Sequence, residues 1–227
     1  MAKKKISRKQ LLKKNDEFLT LSARAVLFFT SHTRQFKFLG AGLGIILIAY
    51  LVGYAYLGSV NKKGQAAYNL AYDVLDENTK PDVDPKDLAK SENLFMTVID
   101  EYGLSKVARL ALPQIAHVKY LDRDYDQAII FYQKFLDKIS GHSQYESLTK
   151  LAMAACYEGN AKLKKAIEML GSVVASPYDS FKDTAMLSLE RVYRLDHQDE
   201  KAREVLEEFV QKYKTSPLYS MAKARLS

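Results

Sequence analysis

Between Phe38 and Val60 the chain reads FLGAGLGIILIAYLVGYAYLGSV, twenty-three residues without a charge, Asn, Gln, His or Pro. No other window approaches it. As a helix rising about 1.5 Å per residue the stretch is about 35 Å long. That crosses a hydrocarbon core of about 30 Å with some tilt. The pattern therefore predicts one transmembrane helix over 38–60. On both sides it turns from continuous to periodic. Upstream, Phe18, Leu21, Ala25, Phe28 and Phe29 recur at helical spacing and predict an amphipathic helix over 16–33. Asn15 is placed to cap it, with Asp16 and Glu17 in the first turn, where the helix dipole favours acids. Downstream, Ala66, Ala67, Leu70, Ala71 and Leu75 carry a helix over 61–76. The break ENTKPDVDPKD follows, and Asp84-Pro85 at its end pairs a capping carboxylate with proline at a first helical position. The next helix runs from there to about Tyr102.

Beyond this point the chain repeats itself. Residues 109–139, RLALPQIAHVKYLDRDYDQAIIFYQKFLDKI, are the clearest unit. They resemble a tetratricopeptide (TPR) repeat: Leu112, Ile115 and Ala116 match the packing positions of its first helix, and Tyr125, Ala128, Tyr132 and Leu136 those of its second. The small residue recurs as Ser91, Ala128, Ala166 and Ala202, at separations of 37, 38 and 36. Tyr157 and Tyr193 fill the aromatic position of the first helix in later units, and Tyr120 is displaced by one. Ser105, Ser143, Ser180 and Ser216 stand where helix starts need caps. Pro113 lies inside a predicted helix and is expected to kink it or to mark a late start. The expected fold is all-α: a single N-terminal transmembrane helix followed by a TPR-like α-solenoid of antiparallel helix pairs. About nine helices are expected after the span, with 217–227 as the capping one; an all-α bundle is the alternative.

Charge orients the span. Residues 1–37 hold ten Lys/Arg against Asp16 and Glu17, about +8 in a chain whose formal charge is +7. Basic flanks stay on the cytoplasmic side, so the expectation is N-terminus in and C-terminus out. The domains are then 1–37, a basic cytoplasmic arm; 38–60, the span; and 61–227, an extracytoplasmic domain. A cleaved signal peptide is the competing reading. The long apolar core, the amphipathic lead-in and the lack of a small-x-small site better than Gly53-Tyr54-Ala55 oppose it. The single Cys, Cys156, excludes a lipoprotein and any internal disulfide. The arm is expected to attract anionic lipid headgroups, and no nucleic-acid partner is expected. Within the span, Gly40 and Gly44 form a G-x-x-x-G pair, and Ala49 and Gly53 repeat the spacing. Such faces let helices approach closely, although Gly and Ala are also simply common in membrane helices.

The chemistry is sparse. His32, His117, His142 and His197 sit in four different segments, without metal-ligand spacing. No nucleophile elbow or phosphate loop occurs. Cys156 falls beside Ala154 and Ala155 on a packing helix and reads as a buried thiol. The sequence thus predicts neither an enzyme nor a cofactor. The first helices of a solenoid line its concave face. That assigns to a partner-binding groove Leu110, Pro113, His117, Tyr120 and Leu121, then Leu148, Leu151 and Ala155, then Leu187, Arg191, Arg194 and Leu195. The lining is apolar with a basic end. It lacks the Lys/Asn set with which some TPR domains hold a C-terminal carboxylate.

Basic arm, single span and repeats together resemble the YfgM-like ancillary subunit family of the SecYEG translocon. That resemblance implies a bacterial inner-membrane location, a periplasmic domain, and translocon subunits, periplasmic chaperones or exported chains as partners. A scaffold or assembly factor of another envelope complex (outer-membrane assembly, division or respiratory) is the alternative, and a regulator acting through the basic arm a third. The sequence does not fix the oligomeric state.

Overall fold

The small residue that recurs in the second helix of each repeat is buried every time: Ser91, Ala128 and Ala166 are 0% exposed and Ala202 is 2% exposed. A computed structural model describes residues 20, 23–77, 85–139, 141, 143–178 and 180–226. The basic run at the N-terminus, the Asn15 and Asp84 caps, Phe18, Leu21 and His142 lie outside the described residues. The chain forms two compact units, residues 1–56 and 57–227.

In the first unit, residues 23–31 are helical (α1), and His32 stands in a turn before α2, Thr33–Glu77. Val26, Leu27, Phe28 and Phe29 are exposed, and Phe29 packs its ring on Phe36 at 4.6 Å. The apolar side chains of α2 stand clear of other protein: Phe38 is 68% exposed, Ile45 69% and Tyr54 70%. Among the described residues α2 is the one helix long and apolar enough to cross a membrane.

The second unit begins inside α2 and continues with α3 (Pro85–Glu101), α4 (Ala108–Leu121), α5 (Tyr125–Leu136), α6 (Ser143–Gly159), α7 (Leu163–Val174), α8 (Lys182–Leu195), α9 (Asp199–Lys212) and α10 (Tyr219–Leu226). From α3 onward each helix packs on the next, an antiparallel series of pairs closed by α10. With the end of α2 this makes nine helices after the apolar stretch among the described residues.

The first pair is built on α2 and α3. Gly64, Ala71 and Leu75 are buried, and Tyr68 meets the Phe95 ring edge-on at 5.5 Å. The Ser91 hydroxyl donates to the Ala71 carbonyl at 3.3 Å. The sequence placed Ala66 and Leu70 on this face, but both are exposed, Leu70 at 55%. The stripe that α3 covers is spaced 64, 68, 71 and 75, and a residue one step off it is rotated about 100° toward solvent. In the second pair Ala116 and Ala128 are both fully buried, with Tyr132 and Cys156 in the same cluster. Apolar clusters of this kind recur along the solenoid, out to Leu206, Phe209 and Ala222.

The turn within each later pair has one geometry. Arg123, Ala161 and His197 have φ of 61°, 54° and 58°, and they are spaced 38 and 36 apart like the alanines. The amide of Arg123 donates to the Tyr120 carbonyl (3.0 Å), and the amide of Asp124 to that of Lys119 (2.9 Å). The same two bonds recur at Ala161/Lys162 and at His197/Gln198. This is the Schellman closure, which caps the orphan carbonyls of the first helix.

Two of the four serine caps are corrected. The residue flanking α4 is Val107 and that flanking α8 is Phe181, and neither helix has a side-chain cap bond. Ser105 is buried against Gly64, and its hydroxyl has no partner among the described residues. Ser216 accepts the Leu218 amide at 3.2 Å just before α10. Pro113 marks no late start, because α4 begins five residues earlier and continues through it. Its missing N–H leaves the Arg109 carbonyl without the helical donor.

Candidate functional site

A groove of about 450 Å³ opens between the first helices of the first three pairs. Tyr68 of α2 stands on one side. Leu110, Pro113, Gln114 and His117 of α4 run along the middle. Tyr145, Leu148, Thr149 and Ala152 of α6 form the other side, and Tyr132 and Phe135 of α5 close the floor. The spacing of 110, 113/114 and 117 explains the middle wall, since those residues share one helix face.

Among the described residues no charged side chain lines this groove. Burial pushes the His117 ring below its ordinary value of 6.5, which favours the neutral imidazole. Burial raises the Tyr68 phenol, opposed by a hydrogen bond with the Gln114 side chain, and also raises Tyr132. The Thr149 hydroxyl is spent on the Tyr145 carbonyl at 2.6 Å. Phe135 and Tyr145 meet edge-on with centroids 6.4 Å apart. Such a wall presents ring faces, aliphatic carbon and a few neutral polar atoms, the lining suited to an apolar or aromatic side chain.

Of the residues the sequence assigned to a groove, Leu110, Pro113, His117 and Leu148 are on this wall, Leu148 at 50% exposure. The others are not brought to it. Tyr120 is half-buried between His117 (6.4 Å) and Tyr125 (5.6 Å). Leu121 leans on the core of the first pair, and Leu151 packs on the cluster of Ala166 and Leu170. Ala155 is half-buried and Leu195 exposed, both off the wall. Leu187 is core, 6% exposed among Met186, Leu206 and Phe209, because it falls on the α8 face that α9 and α10 cover. The expected basic end is already neutralised. Arg191 pairs with Glu158, and Arg194 Nε lies 2.8 Å from Glu190 Oε1. Glu158 lies on another helix, which mapping the repeat one helix at a time omits, whereas Glu190 stands four residues before Arg194 on the same helix.

The sequence reading missed Tyr68, Gln114, Tyr132, Phe135, Tyr145, Thr149 and Ala152 as lining. Gln114 was legible, one step from Pro113 on the same face. Tyr132 is matched in the sequence to a packing position of the second helix, and Phe135 to none. In the apolar part of α2, a Cβ added at Gly40, Gly44 or Gly53 meets nothing within 4 Å, and Ala49 is exposed. Among the described residues these positions are open to a partner outside the helix.

No family model matches this chain, and no curated protein matches it. Solved structures do. A tetratricopeptide repeat protein from Parabacteroides merdae superimposes with a TM-score of 0.56 at 15% identity, over 73% of this chain and 59% of that one. The chain thus spans about three-fifths of that protein's length. A Podosopora anserina protein described as a kinesin light chain with nearly identical TPR-like repeats gives 0.56 at 16% identity, over 71% and 82%. A double mutant of MamA from RS-1 gives 0.52 at 18% identity, over 72% and 84%. At these identities the likeness is one of fold: the helix pairs are TPR-like.

Proposed function

We propose that this protein is a membrane-anchored adaptor whose groove binds an apolar or aromatic segment of another protein. The observation that carries the reading is the groove itself, which is open, uncharged and built from the first helices of successive TPR-like pairs. The apolar stretch over 38–60 serves as the anchor and the G-x-x-x-G face as a lateral contact. The charge of residues 1–37 keeps that arm cytoplasmic and near anionic headgroups, and the domain is periplasmic. The partners are translocon subunits, periplasmic chaperones or exported chains. This finer part rests on the likeness in layout to YfgM-like subunits.

Photo-crosslinking in cells tests it, with reactive residues at Leu110 and Leu148 on the wall, Leu195 off it, and Gly44 in the span. Crosslinks from the wall to chaperones or exported chains, and from Gly44 to translocon subunits, are expected, with Leu195 silent. Crosslinks from the wall confined to one other envelope complex replace the translocon reading with a scaffold of that complex. A silent wall beside a productive Leu195 removes the groove as the working surface.

A further inference from the structure

Antiparallel packing puts the α3–α4, α5–α6 and α7–α8 connections at one end of the second unit. That end lies beside Asn61, the residue directly after the apolar stretch. The Asn61 side chain accepts the Lys106 amide at 2.8 Å, and the α3–α4 connection also packs on Gly64. A cavity of about 610 Å³ opens there, and its wall carries Lys106, Arg109 and Lys138 but no carboxylate. All three cations are exposed, and among the described residues none makes an ion pair. Ser105 on the same wall is buried, with a hydroxyl that has no partner among the described residues. Elsewhere in the domain the arginines on the first helices are paired, as at Glu158 and Glu190. Three cations around one concavity whose wall holds no carboxylate suit an anion.

An apolar side chain stands beside them. Leu104, at the tip of the α3–α4 connection, is 68% exposed. Lys62 and Lys63 directly follow Asn61 and are exposed. An exposed Leu among Lys and Arg is the composition that settles at a bilayer surface, with apolar carbon at the acyl boundary and cations at the phosphates. We infer that this end of the domain docks on the leaflet next to the span, with the Lys106/Arg109/Lys138 cavity holding the phosphate of an anionic phospholipid headgroup. The inference rests on the reading of 38–60 as a membrane span. It concerns the opposite leaflet from the one the N-terminal arm would meet.

The test uses the full chain in nanodiscs of phosphatidylcholine, with or without phosphatidylglycerol. Spin labels are placed at Leu104→Cys and, separately, at Ala49→Cys in the span; Cys156 is buried and takes no label. The Ala49 label should be in the bilayer in both lipids, and the Leu104 label should reach the interface only with phosphatidylglycerol. The triple variant Lys106→Gln/Arg109→Gln/Lys138→Gln should retain phosphatidylglycerol about 100-fold less tightly, at an unchanged melting temperature. Leu104→Ser alone should weaken docking while leaving the cavity intact. A Leu104 label that stays in water in both discs, with Ala49 in lipid, overturns the docking proposal alone. An Ala49 label in water overturns the span and the proposal together. Inorganic phosphate that displaces the lipid as well as a headgroup does makes the cavity a phosphate site and overturns the lipid assignment.

Discussion

Arg225 of the last helix reaches the buried carboxylate of Glu190, with Nη1 2.8 Å from Oε2. Glu190 is 2% exposed, and its other oxygen is taken by Arg194, also at 2.8 Å. Each oxygen therefore depends on a different helix, and α10 is tied to α8 by charge as well as by Ala222. Arg225→Ala leaves one buried oxygen unmet, which costs about 1–3 kcal/mol. Urea melts should show the loss, and hydrogen exchange should show α10 opening before α8. Glu190→Leu removes the buried charge altogether and should cost less than Arg225→Ala. The reverse order would mean that the pair contributes net stability.

Gly64 and Gly171 should respond to alanine with opposite signs. A Cβ at Gly64 would sit 2.8 Å from the Ser105 Cβ and 3.1 Å from that of Tyr102. Neither atom can swing away without moving the α3–α4 connection. Gly64→Ala is expected to cost about 1–3 kcal/mol. At Gly171, inside α7, nothing lies within 4 Å, so alanine there should stabilise by about 0.8–1 kcal/mol through helix propensity. Thermal melts of the two variants check the contrast.

The same reasoning predicts a gain at the turns. Ala161 holds φ at 54° with a Cβ that disfavours it. Ala161→Gly should stabilise by about 0.5–1 kcal/mol, because glycine enters the left-handed region freely and no packed side chain is lost. An unchanged or lower denaturation midpoint would mean that the unfolded chain gains as much freedom as the turn does.

These turns also mark how far the sequence could be read. Ser91, Ala128, Ala166 and Ala202 betrayed the helix pairs because close helix contact demands a small side chain at a fixed interval. The Schellman turns left no such trace, since Arg123, Ala161 and His197 stand where glycine would have signalled them. The groove was half legible. Leu110, His117 and Leu148 follow from helix faces, whereas Tyr132 and Phe135 reach it only because α5 lies behind the gap between α4 and α6. Arg191 misled because Glu158, on α6, becomes its partner only in three dimensions, whereas the Glu190–Arg194 pair, four residues apart on α8, was legible and overlooked.

Cys156 offers a probe of opening. It is fully buried, and burial pushes its thiol up to about 12, so thiolate is scarce at neutral pH and the alkylating reagent has no access. Labelling by iodoacetamide should be slow in the native protein and should track the unfolded fraction as urea is added. Fast labelling without denaturant would show that the α5–α6 region opens locally.

His117 couples the groove to pH. In the unfolded chain its pKa is the ordinary 6.5, and in the folded domain burial lowers it. Between those two values the unfolded chain binds more protons, so stability rises with pH across that window. Put the other way, the stability from the neutral ring is complete above about 6.5, is lost as pH falls through the window, and then levels off. His117→Gln should flatten this part of the profile, read as the difference between variant and parent urea melts at about pH 7.5 and about pH 5. An apolar segment seated over the ring would dry it further and lower its pKa again. Its affinity should then weaken on acidification in the parent protein and stay level in His117→Gln. Equal pH dependence of binding in both proteins would place the segment away from His117, and so away from the wall that Leu110 and Leu148 share with it.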